Sequence, residues 1–180
     1  MKVPLTEREQ AALTFQAYPP AQAIQGVWQH PLVKHRSGNG AFMEYARLDE
    51  AGRTQGTPTP LAARQVSVSW AEPGRLNAFH VHTKIPQDEI WTVLNGQLTV
   101  WLVDCRAGSP TAGHRRQFVL SGEQPTQLHI PAGVAHGYRA GSQGATLLYA
   151  MNQQFDPADP NEGRLPWNAF GEELWTEDRG

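Results

Sequence analysis

Cysteine is almost missing from this chain: Cys105 is the one thiol in 180 residues. A single thiol excludes an internal disulfide framework and any Cys-based metal motif, and it does not argue against a reducing compartment. Cys105 reads as a small core hydrophobe, with a reactive thiol as the alternative. Long apolar runs are missing as well. No stretch of about 18 apolar residues occurs, and the opening MKVPLTEREQ has no apolar segment of leader length, so a cytoplasmic protein with no membrane partner is expected. Nor is there a basic excess. With 15 Lys and Arg against 17 Asp and Glu, a formal charge of −2, the chain lacks the positive field that a phosphate backbone demands, which excludes nucleic acid as the expected partner. What is present, 39% hydrophobic residues and six Trp in about one domain's length, is enough for one sizeable core. A single domain over residues 1–180 is therefore expected.

Thr6 and Glu9 have the spacing of a capping box, and the segment they open stops before Pro19 and Pro20. This predicts a short N-terminal helix within an extension covering residues 1–20. Gly and Pro then punctuate the chain every ten residues or so, separating the short runs RQVSVSW, EIWTVL, QLTVWLV, RQFVL, TQLHI and ATLLYAM. Many short β-rich runs between turn residues predict an all-β sandwich or barrel. EIWTVL and QLTVWLV are apolar on both faces, so one face should meet the core and the other a second sheet or a subunit; a homodimer is expected. The aromatic tail LPWNAFGEELW should pack a minor helical C-terminal segment, residues 164–180, over the barrel mouth or a dimer face.

Within NAFHVHTKIPQDEIWTVLNG, His80 and His82 are one residue apart, and alternation on a strand sends both side chains to the same side. Glu89 follows at the head of EIWTVL, and His136 ends PAGVAH about forty residues later. Gly74, His80, His82, Glu89 and Gly96, followed by Pro131, Gly133 and His136, resemble the two motifs of the cupin superfamily, with a six-residue gap between His82 and Glu89 and Ala140 where the second motif closes on Asn. Within the cupins, GAFMEY, VDCRAGSPTAG, QLHIPAGVAHGY, LLYAMNQQFDP and the EG of NEG are similar to the dTDP-4-dehydrorhamnose 3,5-epimerase (RmlC-like) family over about residues 38–163. The resemblance implies an all-β double-stranded β-helix, a jelly-roll barrel. It also implies a base at His80, a second active-site histidine at His136 and a tyrosine acid at Tyr149, with a small-molecule substrate that is a keto-sugar nucleotide or a related polar carbonyl compound. The family's lysine falls on Glu89, its Gln on His82, and its two phosphate-holding arginines on Asn39 and Asn77. The carboxylate partner of the base would lie beyond NEG, with Asp178 as a candidate.

Removing a proton beside a ketone needs a base near neutral pKa and a positive or hydrogen-bonding group where charge develops on oxygen. A carboxylate at position 89 opposes that development unless a cation shares the pocket. His80, His82, Glu89 and His136 compose a first shell for Zn²⁺, Mn²⁺, Fe²⁺ or Ni²⁺, so a divalent metal is the expected cofactor. His80 has a single lone pair when neutral, so ligand and base are competing roles for it. Tyr149 could equally be a core tyrosine, and His129 a buried polar residue behind the site. Glu44 and Tyr45 follow a segment that in the family reaches a neighbouring subunit, although a solvated edge strand serves as well. Arg75, Arg106 and Lys84 could meet an anion or simply face solvent. The expected function is a keto-sugar-nucleotide epimerase, with a metal-dependent cupin oxygenase or isomerase and a non-catalytic sugar-binding cupin as alternatives.

Overall fold

A computed structural model of the chain describes residues 3–18 and 20–176. A short helix, α1 (Glu7–Ala12), follows Thr6, whose carbonyl accepts from the Gln10 amide; the expected capping box is not made, since the Thr6 side chain caps nothing. None of its residues is buried, so little beyond its own hydrogen bonds holds it.

Twelve strands follow: β1 (Trp28–Pro31), β2 (Lys34–Ser37), β3 (Gly40–Met43), β4 (Arg47–Leu48), β5 (Thr54–Gln55), β6 (Gln65–Ala71), β7 (Leu76–Val81), β8 (Glu89–Asp104), β9 (Arg115–Ser121), β10 (Thr126–Ile130), β11 (Val134–Met151) and β12 (Gly163–Arg164). EIWTVL and QLTVWLV, read as separate runs, are the halves of one 16-residue strand, β8. Gly96 bends it (φ 72°) opposite the bend of β11 at Gly144 (φ 70°). A Cβ on Gly96 would lie 2.9 Å from Cα of Ala145, so only glycine allows the strands to cross this closely.

The bends give each long strand two sets of partners. The first half of β8 pairs with β10 and the second half of β11, which extend to β1 and β6; the second half of β8 pairs with β9 and the first half of β11, which extend to β7 and β12. All pairings are antiparallel, and the result is two facing sheets of a jelly roll joined through β8 and β11. Trp91, Val93, Leu98, Val100 and Leu102 of β8 point between the sheets and meet Phe118, Leu120, Leu128, Ile130 and Leu147. A fully buried side chain of this kind contributes about 2 kcal/mol.

The outer face of β8 is covered by the chain itself. Ile90 packs on Leu61, Tyr45 and Ala63, and the Tyr45 hydroxyl donates to the Ile90 carbonyl at 3.1 Å. At the other end a 3-10 turn (Glu172–Trp175) buries Leu174 and Trp175 against Phe79, Val81, Val103 and Ala135. Trp101 Nε1 donates to the Leu174 carbonyl at 2.7 Å. The tail therefore packs on the outside of the second sheet, not over the barrel mouth.

Strand β6 has an unusual polarity. Gln65, Ser67 and Ser69 face the barrel interior, while Val66, Val68 and Trp70 face outward, Trp70 being 70% exposed. Among the described residues no helix is long and apolar enough to cross a membrane.

Candidate active site

One end of the barrel opens into a cavity of about 540 Å³ walled by β6, β7, β8 and β11. His80 and His82 both reach it, as strand alternation requires. Asn77, three residues from His80, reaches it too. Pairing of β7 with β11 slips between His136, opposite His80, and Tyr138, opposite Asn77. That bulge puts three steps of β7 against two of β11 and reverses the parity, so Asn77 and His80 share a face and bond at 3.0 Å. Gly137 sits at the slip, where a Cβ would lie 2.8 Å from Cα of Ala78.

Of the four expected metal ligands, three converge. His82, Glu89 and His136 are all buried, and one ligand atom from each lies within 4.8 Å of the others. His80 stands outside this group. Its Nε2 faces Asn77 Oδ1, and its Nδ1 lies 3.6 Å from Glu162 Oε1. Of the expected four-residue shell the geometry groups three, and His80 lies outside it: the β7 bulge turns its ring toward Asn77, and β12 brings Glu162 alongside its Nδ1.

Glu89 is bonded on both oxygens. Oε1 lies 2.9 Å from His82 Nε2 and accepts from Gln87 Nε2 at 2.8 Å; Oε2 accepts from Trp91 Nε1 at 2.6 Å. Burial alone would raise the Glu89 pKa, but His82, the nearby His136 and Trp91 hold it down at about 2. Burial works against a charged His82, yet Glu89 and the Asn161 carbonyl at its Nδ1 raise its pKa on balance. The expectation that Glu89 needs a divalent ion to share this pocket is thereby revised: the His82 ring and the Gln87 and Trp91 N–H groups meet both carboxylate oxygens.

The three residues nevertheless fit a divalent ion. His82 Nδ1 is tied to the Asn161 carbonyl and His136 Nδ1 to the Val134 carbonyl at 3.1 Å. Both rings are thus oriented so that Nε2 is the nitrogen left to the cluster, the way backbone partners orient ligating histidines.

Burial, reinforced by His136, lowers the His80 pKa to about 4 against the opposing pull of Glu162, so His80 is neutral at pH 7 and can accept a proton. His136 is shifted down by burial. Tyr149, on β11, lines the same cavity; burial and the Glu89 charge raise its pKa, which keeps its proton in place.

The remaining expected residues sort out by contact. His129 is buried behind the site, stacked on Trp28 at 5.0 Å, with Nε2 3.6 Å from Asp88 Oδ2. Tyr45 braces β8, and Glu44 pairs with Arg47 on the surface. Arg106 is held by Asp104, and Lys84 by Asp159. Asp178 lies outside the described residues. The carboxylate beside His80 is Glu162, within NEG and not beyond it. Gln87, Asn161 and Trp91 were also unassigned. Gln87 and Trp91 flank Glu89 at two residues on either side, the spacing that shares a strand face, whereas no local spacing marks Asn161 and Glu162, which arrive from a loop about eighty residues away in sequence.

The sequence model for dTDP-4-dehydrorhamnose 3,5-epimerase matches residues 21–171. The chain is 36% identical over 148 residues, 81% of its length and 91% of the relative's, to the spore coat polysaccharide biosynthesis protein SpsL of Bacillus subtilis (strain 168). It is 28% identical to a dTDP-4-dehydro-6-deoxyglucose 3-epimerase of Streptomyces, covering 86% of this chain and 82% of that one. Among solved structures, the Legionella pneumophila Philadelphia 1 enzyme dTDP-6-deoxy-D-glucose-3,5-epimerase, in complex with dTDP-4-keto-L-rhamnose, superposes with a TM-score of 0.71 at 25% identity, covering 87% of this chain and 80% of the other. With the family's match spanning most of the described barrel and its cavity, the chain belongs to the dTDP-4-dehydrorhamnose 3,5-epimerase family of the cupin superfamily.

Proposed function

We propose that the protein epimerises a nucleotide-linked 4-keto sugar at a carbon beside the ketone. The observation that carries this reading is His80, with Glu162 3.6 Å from its Nδ1, in the same cavity as Tyr149. His80 removes the proton from the carbon next to the carbonyl. The C–H electron pair moves into a C=C bond as the carbonyl electrons move onto oxygen. Tyr149 then supplies a proton to the carbon from the other side, and solvent restores both side chains. The neutral, hydrogen-bonding wall of Gln65, Ser67, Ser69 and Gln154 suits sugar hydroxyls. Names of relatives point the same way, since they include 3-epimerases and 3,5-epimerases of dTDP-4-keto sugars. The test is incubation in D₂O with dTDP-4-keto-6-deoxyglucose, followed by NMR. Deuterium should enter beside the ketone and fall at least about 100-fold with His80→Ala; no exchange in the wild type sinks the reading.

A divalent ion at His82, Glu89 and His136 belongs to the same proposal, on the strength of the two backbone-oriented rings. Bound there, Zn²⁺, Mn²⁺, Fe²⁺ or Ni²⁺ would polarise a carbonyl oxygen. The outward Val66, Val68 and Trp70 of β6, an edge strand, support a homodimer that covers them. We place this activity in one domain spanning 1–180 and in the cytoplasm, with its sugar-nucleotide substrate.

A further inference from the structure

The acids of the cavity are taken. Glu89 is bonded by His82, Gln87 and Trp91, and Glu162 accepts from Arg164 Nη2 at 2.5 Å. Arg75 differs: its side chain lines the cavity with no hydrogen-bond or ion-pair partner among the described residues. Its backbone is nonetheless fixed. Gly74 (φ 72°) makes the turn into β7, the Arg75 amide donates to the Glu72 carbonyl at 3.0 Å, and the Arg75 carbonyl accepts from the Ala140 amide at 2.9 Å. A guanidinium on a fixed base loses less freedom when it takes a ligand than one on a loose loop.

Its position relative to the proton-transfer residues sets the kind of ligand. Arg75 and His80 are five residues apart, about 16 Å of strand. The wall between them is uncharged, Asn77, Tyr138, Ser67 and Ser69 giving it polar groups beside the apolar Leu147. A reacting centre at one end, a hydroxyl- and amide-lined middle and one unpaired guanidinium at the other match a sugar whose ketone is remote from a phosphorylated end. A planar guanidinium suits two phosphate oxygens at once. Asn39 and Asn77 stand where the resemblance expects arginines, so no cation at those positions competes for this role.

We propose that Arg75 is a substrate-binding residue that holds the diphosphate of the sugar nucleotide at the end of the cavity remote from Glu162. This rests on the keto-sugar-nucleotide reading above, and its test is independent of turnover. Titration calorimetry on the full chain uses thymidine diphosphate and, separately, inorganic pyrophosphate. Wild type, Arg75→Gln and Arg75→Lys are compared, with a thermal melt to check the fold of each. Both probes should bind the wild type. Arg75→Gln should weaken each by about tenfold or more, and Arg75→Lys should recover part of the loss, keeping charge without the two-pronged geometry. Equal affinity in wild type and Arg75→Gln overturns the proposal, as does failure of both probes to bind wild type at millimolar concentration. Deuterium exchange with Arg75-independent binding removes the anchor and leaves the epimerase. Arg75-dependent binding without exchange keeps the anchor and removes the epimerase.

Discussion

Glu162 Oε1 lies 3.6 Å from His80 Nδ1, and the same oxygen accepts from Arg164 at 2.5 Å. The acid therefore faces a ring and a guanidinium together, and Arg164 limits how far the ring is pulled toward its charged form. Glu162→Gln keeps the shape and removes the charge that would stabilise His80 after it takes a proton. The expected result is a fall in kcat of about 100-fold with KM within about threefold of wild type. A mutant with wild-type kcat, or one in which only KM rises, would show that Glu162 does not support the base.

Glu89→Gln tests the buried cluster. Removing this charge weakens the contacts that Glu89 takes from His82, Gln87 and Trp91 in a buried site, which should cost about 2 kcal/mol by urea unfolding. It should also lower uptake of added Zn²⁺, read by elemental analysis after gel filtration, from near one ion per chain to background. Stoichiometric zinc in Glu89→Gln, or none in a wild type refolded with zinc, would remove the ion from the proposal and leave the His82–Glu89 pair as a hydrogen-bonded unit.

The barrel and the shared side of His80 and His82 were legible because alternation and turn residues are local, whereas Tyr149 came to the cavity through the family resemblance alone. The single bent strand β8 was not: Asn95 and Gly96 read as a turn, and only the opposing bend of β11 keeps the strand continuous. Asn77 was hidden for a related reason. Alternation puts it on the opposite face from His80, and the bulge that reverses this depends on Gly137 in another strand meeting Ala78. Glu162 and Asn161 lie beyond any local rule, since a return loop carries them to the site. The separation of His80 from the other three candidate ligands follows from the same two non-local features.

Asp104 offers a stability test away from the cavity. Its fully buried carboxylate takes two bonds from the Arg106 side chain, at 2.8 and 2.9 Å, and one each from the Ser109 and Thr111 hydroxyls at 2.6 Å. These donors, Arg106 foremost, hold its pKa well below the ordinary carboxylate range against the opposing effect of burial. A depressed folded-state pKa means the stabilisation is complete above the unfolded value of about 3.9 and is lost as pH falls below it. Urea midpoints should therefore drop between pH 7 and pH 3. In Asp104→Asn the protein should be about 2 kcal/mol less stable at pH 7 and should lose less over that interval; an unchanged pH dependence would mean other carboxylates govern acid unfolding.

Trp70 tests what covers β6. The strand turns its serines inward and its Val66, Val68 and Trp70 outward, the reverse of what a strand facing water should do, and Trp70 is 70% exposed in the isolated chain. A stable dimer interface needs apolar anchors near its centre, and large aromatics are the side chains whose loss costs most. Trp70→Glu should shift the mass measured by light scattering at micromolar concentration from two chains to one. Because Ser67 and Ser69 form the cavity wall on the other face of the same strand, the monomer should also lose activity while keeping its β-rich circular dichroism. A wild-type monomer at that concentration, or a Trp70→Glu dimer as tight as wild type, would leave the outward face of β6 to some other partner.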